Sequence, residues 1–297
     1  ITLRANDMSI NDVISAGTTG TVTLTPLSTS RNINIEGPTP TVGTLSLNTS
    51  ELQQVTAGTL EIGRSTDTGT LTVATALGSS NVNASTLKLA HQNIAINSAI
   101  DFSAGGENLT LAAGSGSVTL GADLNVGSGV INASSSTVNF SGTRTITSTN
   151  SGTGFSAGTL NVDSTDSVSL NATSSINTLN LSAGTLSGSG QISVTGSAST
   201  WTGGTLAGNL RVASGGTLTL SGGVKNFASG AALTNQGNVV WTAGNLEPAG
   251  SGTSTITNAA GALFDIQGDL AVTDTVNNGT GTHTLNFVNQ AGGELRR

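Results

Sequence analysis

Two groups of carboxylates are the first residues in this chain that could do chemistry. Asp163 and Asp166 lie in NVDSTDS, and Asp265, Asp269 and Asp274 lie in FDIQGDLAVTD. Paired carboxylates about 5 to 9 Å apart can serve as acid and base on a glycosidic bond. The competing reading makes them turn residues, whose side chains accept hydrogen bonds from nearby backbone amides. Lyase chemistry would ask for a calcium-binding cluster with a Lys or Arg base beside it, and no cation lies close in sequence to either group. Arg144, Arg211 and Lys225 are isolated and are expected on the exterior, where a lone cation aids solubility. His91 and His283 lie in distant parts of the chain, outside any Ser-His-Asp or zinc-ligand context, so surface or turn positions are expected and a shared metal is not. Glycine-rich pieces such as GSGSVTLGAD lack both the lysine of a phosphate loop and the aspartates of a calcium-binding nonapeptide. Trp201 in WTGGTLAG and Trp241 in WTAGNLEP are the candidates for a sugar-stacking platform, against the alternative of packing under a loop. No catalytic, cofactor or metal-ligating set emerges, and the chain is expected not to be an enzyme.

The background against which these residues sit is unusual. Charged residues make up 8% and aromatics 3%, with 41 Gly, no Tyr and no Cys. Ordinary globular chains carry about 25% charge, so Ser, Thr and Asn must supply most of the surface polarity here. Such a composition favours strands and tight turns over helices. Disorder is a rival reading for a Gly/Ser-rich chain, but 35% of residues are hydrophobic and they are regularly placed. Without cysteine, packing alone must hold the fold. A net charge of −7 with nine Lys plus Arg leaves no basic patch for phosphates, so nucleic acid is not an expected partner. No apolar run approaches the ~18 residues of a membrane helix. The opening ITLRANDMSI lacks the basic start and apolar stretch of a signal peptide, and both ends read as cut from a longer protein.

The elements that must position everything are short alternating strands. TVTL at Thr21, TLEI at Thr59, TLKL at Thr86, NLTL at Asn108, SVTL at Ser117, TLNV at Thr159, TLNL at Thr178, TLTL at Thr217 and NVVW at Asn238 share a period of two. That period puts one side chain in and the next out. Strands this short are unstable in isolation. The strand at Thr86 recurs at Asn108, the one at Thr159 at Thr178 and the one at Thr217 at Asn238, while WTGGTLAG and WTAGNLEP stand two such steps apart. Recurrence at about 20 residues indicates a solenoid. The expectation is an all-β, parallel β-helix (β-solenoid) of about 14 to 15 coils, each of about 20 residues. Residues 1–297 read as one continuous solenoid segment, with a soft change of repeat type near 187. Two irregularities stand out: SELQQVTAG, Ser50 to Gly58, as a single protruding helical turn capped by Ser50, and EGPTPTVG, Glu36 to Gly43, as a loop.

ITLRANDMSINDVISAGTTGTVTLTP and GTLSLNTSELQQVTAGTLEIGRSTDTGTLTV resemble the repeat region of filamentous-haemagglutinin-like exoproteins, the large adhesins of two-partner secretion systems. TWTGGTLAGNLRVASGGTLTLSG and NAAGALFDIQGD are similar to repeats of very large bacterial surface proteins of the same general kind. The resemblance covers nearly the whole chain and implies a right-handed parallel β-helix, exported and displayed at the outer cell surface. By that implication the chain is a structural shaft of a secreted adhesin, its partners a host or neighbouring-cell glycan or protein. End-to-end self-association through open solenoid edges is a further expected contact. The family's secretion domain, with its Asn-Pro-Asn motifs, has no counterpart here. The alternative weighed on fold grounds is a polysaccharide-processing β-helix enzyme, a lyase or hydrolase. Ice binding through flat Thr ladders is disfavoured, because the Thr-x-Thr spacing varies too much.

Overall fold

The computed structural model describes residues 1–273 and 282–297. The chain is nearly all β, with parallel strands stacked as a β-solenoid of about 12 turns, roughly 22 residues per turn. It divides into two compact units, Ile1–Ser156 and Ala157–Arg297.

In the first unit the period-two pattern does what it implies. Val22 registers with Leu60, Leu60 with Leu87, Leu87 with Leu109 and Leu109 with Ile131. Each of these is essentially inaccessible, so one inward position of every turn stacks on its equivalent below. A second column, Ile33, Leu71, Ile94, Val118 and Val138, rises on another face. The short strands Leu77–Gly78, Ile100–Asp101 and Leu124–Asn125 carry a third. Burying each such side chain stabilises the fold by about 1.5 to 3 kcal/mol, so the columns are its main support. Outward positions stack as well: Thr59 lies beside Thr86 and Thr86 beside Asn108. Glu61 faces Lys88 at 2.7 Å, a half-exposed pair that contributes little to stability.

The second unit is built the same way with tighter turns, in which Ser167 pairs with Thr185 and Gln191 with Asn209. One strand, Thr185–Val194, serves two faces and slips register between Ser187 and Gln191. Gly188 and Gly190 permit that corner. Gly188 has φ +127°, and a Cβ there would collide with the Leu170 carbonyl oxygen; one on Gly190 would meet the Ala172 carbonyl in the same way. Farther on, the aliphatic column Val194 and Val212 gives way to Asn235, Asn258 and Asn289. Each carboxamide donates to the next, Asn235 Nδ2 to Asn258 Oδ1 and Asn258 Nδ2 to Asn289 Oδ1, both at 2.8 Å. Buried amides are tolerated because they are satisfied within the column.

Turn length departs from the regular spacing of about 20 residues that the repeats imply, and the number of turns falls accordingly. The turn that brings Thr21 into register with Thr59 is the longest departure in the first unit, because it carries an extra strand, Leu45–Asn48, and a helix, Thr49–Gln53. The turn from Asn258 to Asn289 is also long. The helix stands where a helical turn is expected, but its cap is Asn48 rather than Ser50. Asn48 Oδ1 accepts from Ser50 N and Glu51 N at 3.0 and 3.1 Å, and Glu51 Oε2 accepts from Asn48 N at 2.8 Å. That reciprocal pair satisfies the first amides of the helix. Among the described residues no helix is long and apolar enough to cross a membrane.

Candidate functional site

The acidic groups are engaged in two different ways. Asp163 and Asp166 close the turn after the strand Phe155–Val162. Asp163 N donates to Asp166 Oδ2 and Asp166 N to the Asp163 carbonyl, both at 3.1 Å. Asp166 is buried, and Asp163 Oδ1 takes the Thr165 amide at 3.4 Å. This is the turn-closing role of an Asp side chain. Asp265 is different. It lies one turn before Arg296, which grips both carboxylate oxygens at 2.9 and 2.8 Å. Those hydrogen bonds, with a third from Gln267 at 2.7 Å, hold its carboxyl down at about 2. Arg297 likewise reaches Asp269 at 2.8 Å, both exposed. The cations missing nearby in sequence are therefore supplied one turn later. Asp274 lies outside the described residues.

Two further expectations are corrected. Lys225 is not an exterior cation: it takes an inward position in line with Leu246 and is fully buried. Its ammonium donates to the carbonyls of Ser221 at 2.8 Å, Gly223 at 2.7 Å and Ala243. Burial lowers its pKa from the usual 10.5 to about 8. His91 is not at the surface either. It is fully buried, its Nε2–H donating to the Arg31 carbonyl at 3.2 Å and its Nδ1 accepting the Gln92 amide at 3.0 Å. That pairing assigns the proton to Nε2. Asp67, buried nearby, is ion-paired with Arg64 at 2.9 Å. Arg211 and Arg144 are half-buried, held by the Ser193 hydroxyl at 2.8 Å and the Thr143 carbonyl at 2.6 Å. His283 opens the strand His283–Asn289 in the other unit from His91. Among the described residues no three His, Asp or Glu converge as a metal site.

Burial holds the His91 pKa below its usual 6.5. Between that lowered value and 6.5 the folded chain binds fewer protons than the unfolded one, so stability falls as pH drops below 6.5. Urea midpoints taken from neutral pH downward should fall more steeply for the wild-type chain than for His91→Gln. Parallel curves would contradict the neutral, buried assignment.

The two tryptophans share a column, as their spacing implies. Trp201 registers with Leu220 and Leu220 with Trp241. The column is inward, because each tryptophan replaces the second aliphatic of a strand. Trp201 is 0% exposed and packs on Phe227 with ring centroids 5.0 Å apart, while Trp241 is 4% exposed and donates its indole N–H to the Gly244 carbonyl at 2.7 Å. Neither ring presents a face to a sugar; both fill the core.

An open groove in the first unit brings together residues that no motif marks. Its floor is Ala57, Val82 and Ala84, all nearly inaccessible, and its rim includes Thr56, Asn83 and Glu107. Three successive turns contribute, with Thr56 beside Asn83 and Ala57 beside Ala84. The Asn83 amide donates to the Gln53 carbonyl at the end of the inserted helix, 2.6 Å away. Glu107 Oε2 accepts the Ser79 hydroxyl at 2.8 Å, and Ser79 Oγ also takes the Gly105 amide at 3.0 Å. Gly105 lies beneath that carboxylate, and a Cβ there would require the Glu107 carboxylate to shift. The only signal legible in the sequence is SELQQVTAG, which marks one wall.

No family model matches the chain, and no curated protein or solved structure matches it.

Proposed function

We propose that this chain is a structural shaft of a large secreted bacterial surface adhesin, displayed outside the cell and carrying attachment without turnover of a substrate. The observation that carries the reading is the continuity of the inward columns of the first unit, in which the same position of turn after turn is aliphatic and inaccessible. Within a unit built this way, each turn is held by strand hydrogen bonds to the turns next to it. The resemblance of its repeats to filamentous-haemagglutinin-like exoproteins supports the same role and the surface location. So does the use of its carboxylates, with Asp163 and Asp166 closing a turn and Asp265 neutralised by Arg296.

The strands His283–Asn289 and Glu294–Arg296 pair with Gly252–Asn258 and Leu263–Ile266 on one side. Phe287 and Leu295 are 41% and 49% exposed there. The test is display on producing cells. Protease added to intact cells should remove an epitope in residues 1–273 while cytosolic markers survive, and deletion of the chain should reduce attachment. An epitope protected until lysis, or release of reducing ends from a polysaccharide by the purified chain, would contradict the reading.

A further inference from the structure

We propose that His91 is an acid-operated latch on the corner Pro26–Asn32: protonation of its ring releases that corner while the stacked strands beneath it stay closed. The latch is a property of the first unit and does not depend on the role proposed above. It follows from how the corner is fastened. Between the strands Thr21–Thr25 and Ile33–Glu36 the chain turns through PLSTSRN, of which Leu27 to Ser30 are exposed. Single hydrogen bonds from several segments hold it. The Arg64 guanidinium donates to the Pro26 carbonyl at 3.3 Å, the Thr68 amide to the Thr29 carbonyl at 2.8 Å and the Thr70 amide to Asn32 Oδ1 at 2.9 Å. The Arg31 guanidinium reaches the Thr44 carbonyl at 3.0 Å. His91 fastens the corner from inside, through Nε2–H to the Arg31 carbonyl, and imidazole is the group among these whose charge changes near neutral pH.

The site is built for a neutral ring. His91 is fully buried, so its cation would lack water, and Nδ1 accepts the Gln92 amide, so a proton added there meets a donor in place of an acceptor. The charged side chains that face it, Asp67 and Arg64, lie on the turn between the strands Val55–Gly63 and Thr70–Val73. The next turn adds no charge, since Ala113 is its residue in register with His91. Burial and the Arg64 charge oppose the cation, the carbonyls of Arg31 and Gly69 and the charge of Asp67 favour it, and burial prevails. Asp67 is no dedicated counter-ion, because Arg64 already holds it at 2.9 Å. Arg64 also fastens Pro26, so a charge on His91 repels a group that closes the corner. Opening the corner brings water to the ring without breaking the ladder, because Leu27 to Ser30 lie between strands and pair with none.

Amide hydrogen exchange of the purified chain, read residue by residue near pH 7.5 and pH 5 and corrected for intrinsic rates, tests the latch. Protection of Thr68 and Thr70 should fall several-fold at the lower pH, up to the roughly thirtyfold that one proton on an opened imidazole of pKa 6.5 allows at pH 5. Low, non-denaturing urea separates local from global opening, because only an opening that exposes much surface is promoted by it. The acid-induced loss at Thr68 and Thr70 should be insensitive to urea, whereas exchange of the ladder amides of Leu87 and Leu109 should accelerate with it. The loss should track the shift of the His91 ring resonance and not that of His283, a comparison made within the wild-type chain that stands even where a variant fails to fold. His91→Gln, which keeps a donor for the Arg31 carbonyl and takes up no proton, should abolish the pH dependence at the corner; His283→Gln should preserve it. No acid-induced loss at the corner, a corner that shares the urea dependence of the ladder, or a loss that survives His91→Gln would overturn the proposal.

Discussion

Trp201→Ala is expected to lower the unfolding free energy by about 3 to 5 kcal/mol, the range for removing a large aromatic from a packed core. The reason is where the column puts it. Trp201 is the largest fully buried side chain, with Leu181 and Leu220 as its register neighbours and Phe227 tilted against its ring. Its indole nitrogen has no hydrogen-bond partner among the described residues. The truncation therefore leaves a cavity and forfeits no polar contact, so the whole loss is one of packing and transfer. Trp201→Leu restores the residue type of the column and should recover more than half of the deficit. Urea denaturation of the three proteins measures both numbers, and a deficit below about 1 kcal/mol for Trp201→Ala would place the ring outside the core.

Lys225 should impose an alkaline stabilisation that Lys225→Met abolishes. The folded pKa is about 8 and the unfolded value 10.5. Between the two the folded chain binds fewer protons, so stability rises with pH through that window and the burden of the buried charge is full below about 8. A shift of that size corresponds to roughly 3 kcal/mol. The window is clean, because the chain has no Cys or Tyr to titrate there and Lys88 is its only other lysine. The methionine variant escapes the charge penalty but leaves the Ser221, Gly223 and Ala243 carbonyls without their donor, a loss of about 1 to 3 kcal/mol per buried group at most. The two effects oppose one another at neutral pH. The difference between wild type and variant should therefore widen, in favour of wild type, by about 3 kcal/mol from neutral pH to pH 10.5. A constant difference would mean that the amine is already neutral or is solvated.

The columns were legible because a period of two leaves little freedom: once TLKL is set against NLTL, Leu87 must meet Leu109 and Thr86 must meet Asn108. The same logic placed Trp201 and Trp241 two turns apart in one row. The inward direction, which decides against sugar stacking, came only with the fold, since Trp201 follows Ser199 rather than an aliphatic by two positions. What could not be read were facts set by turn length. A solenoid tolerates extra residues at a corner without disturbing the ladder, so the insertion between Thr21 and Thr59 left no mark on the strands to either side. Asp265 and Arg296 meet only because the turn between them is far longer than the repeats suggest. Lys225 and His91 were misplaced for another reason. Residue type argues for the surface, while both side chains find carbonyls and amides exposed by a neighbouring corner, and hydrogen bonding makes their burial tolerable. The groove around Glu107 is marked in the sequence only by SELQQVTAG, because its parts come from separate turns that the fold brings together.

The stacking of parallel turns can be tested directly with cysteine pairs, for which this chain offers a background free of thiols. Lys88 registers with Thr110, and Thr110 with Asn132, on one outward row. Adjacent parallel strands lie about 4.8 Å apart, within disulfide reach, whereas positions two turns apart are separated by about 10 Å. Lys88→Cys with Thr110→Cys should close a disulfide on mild oxidation, seen as a mass loss of about 2 Da, and Lys88→Cys with Asn132→Cys should stay reduced under the same conditions. Closure of the second pair, or failure of the first in a folded protein, would contradict the stacked parallel ladder on which the fold and the proposed role both depend.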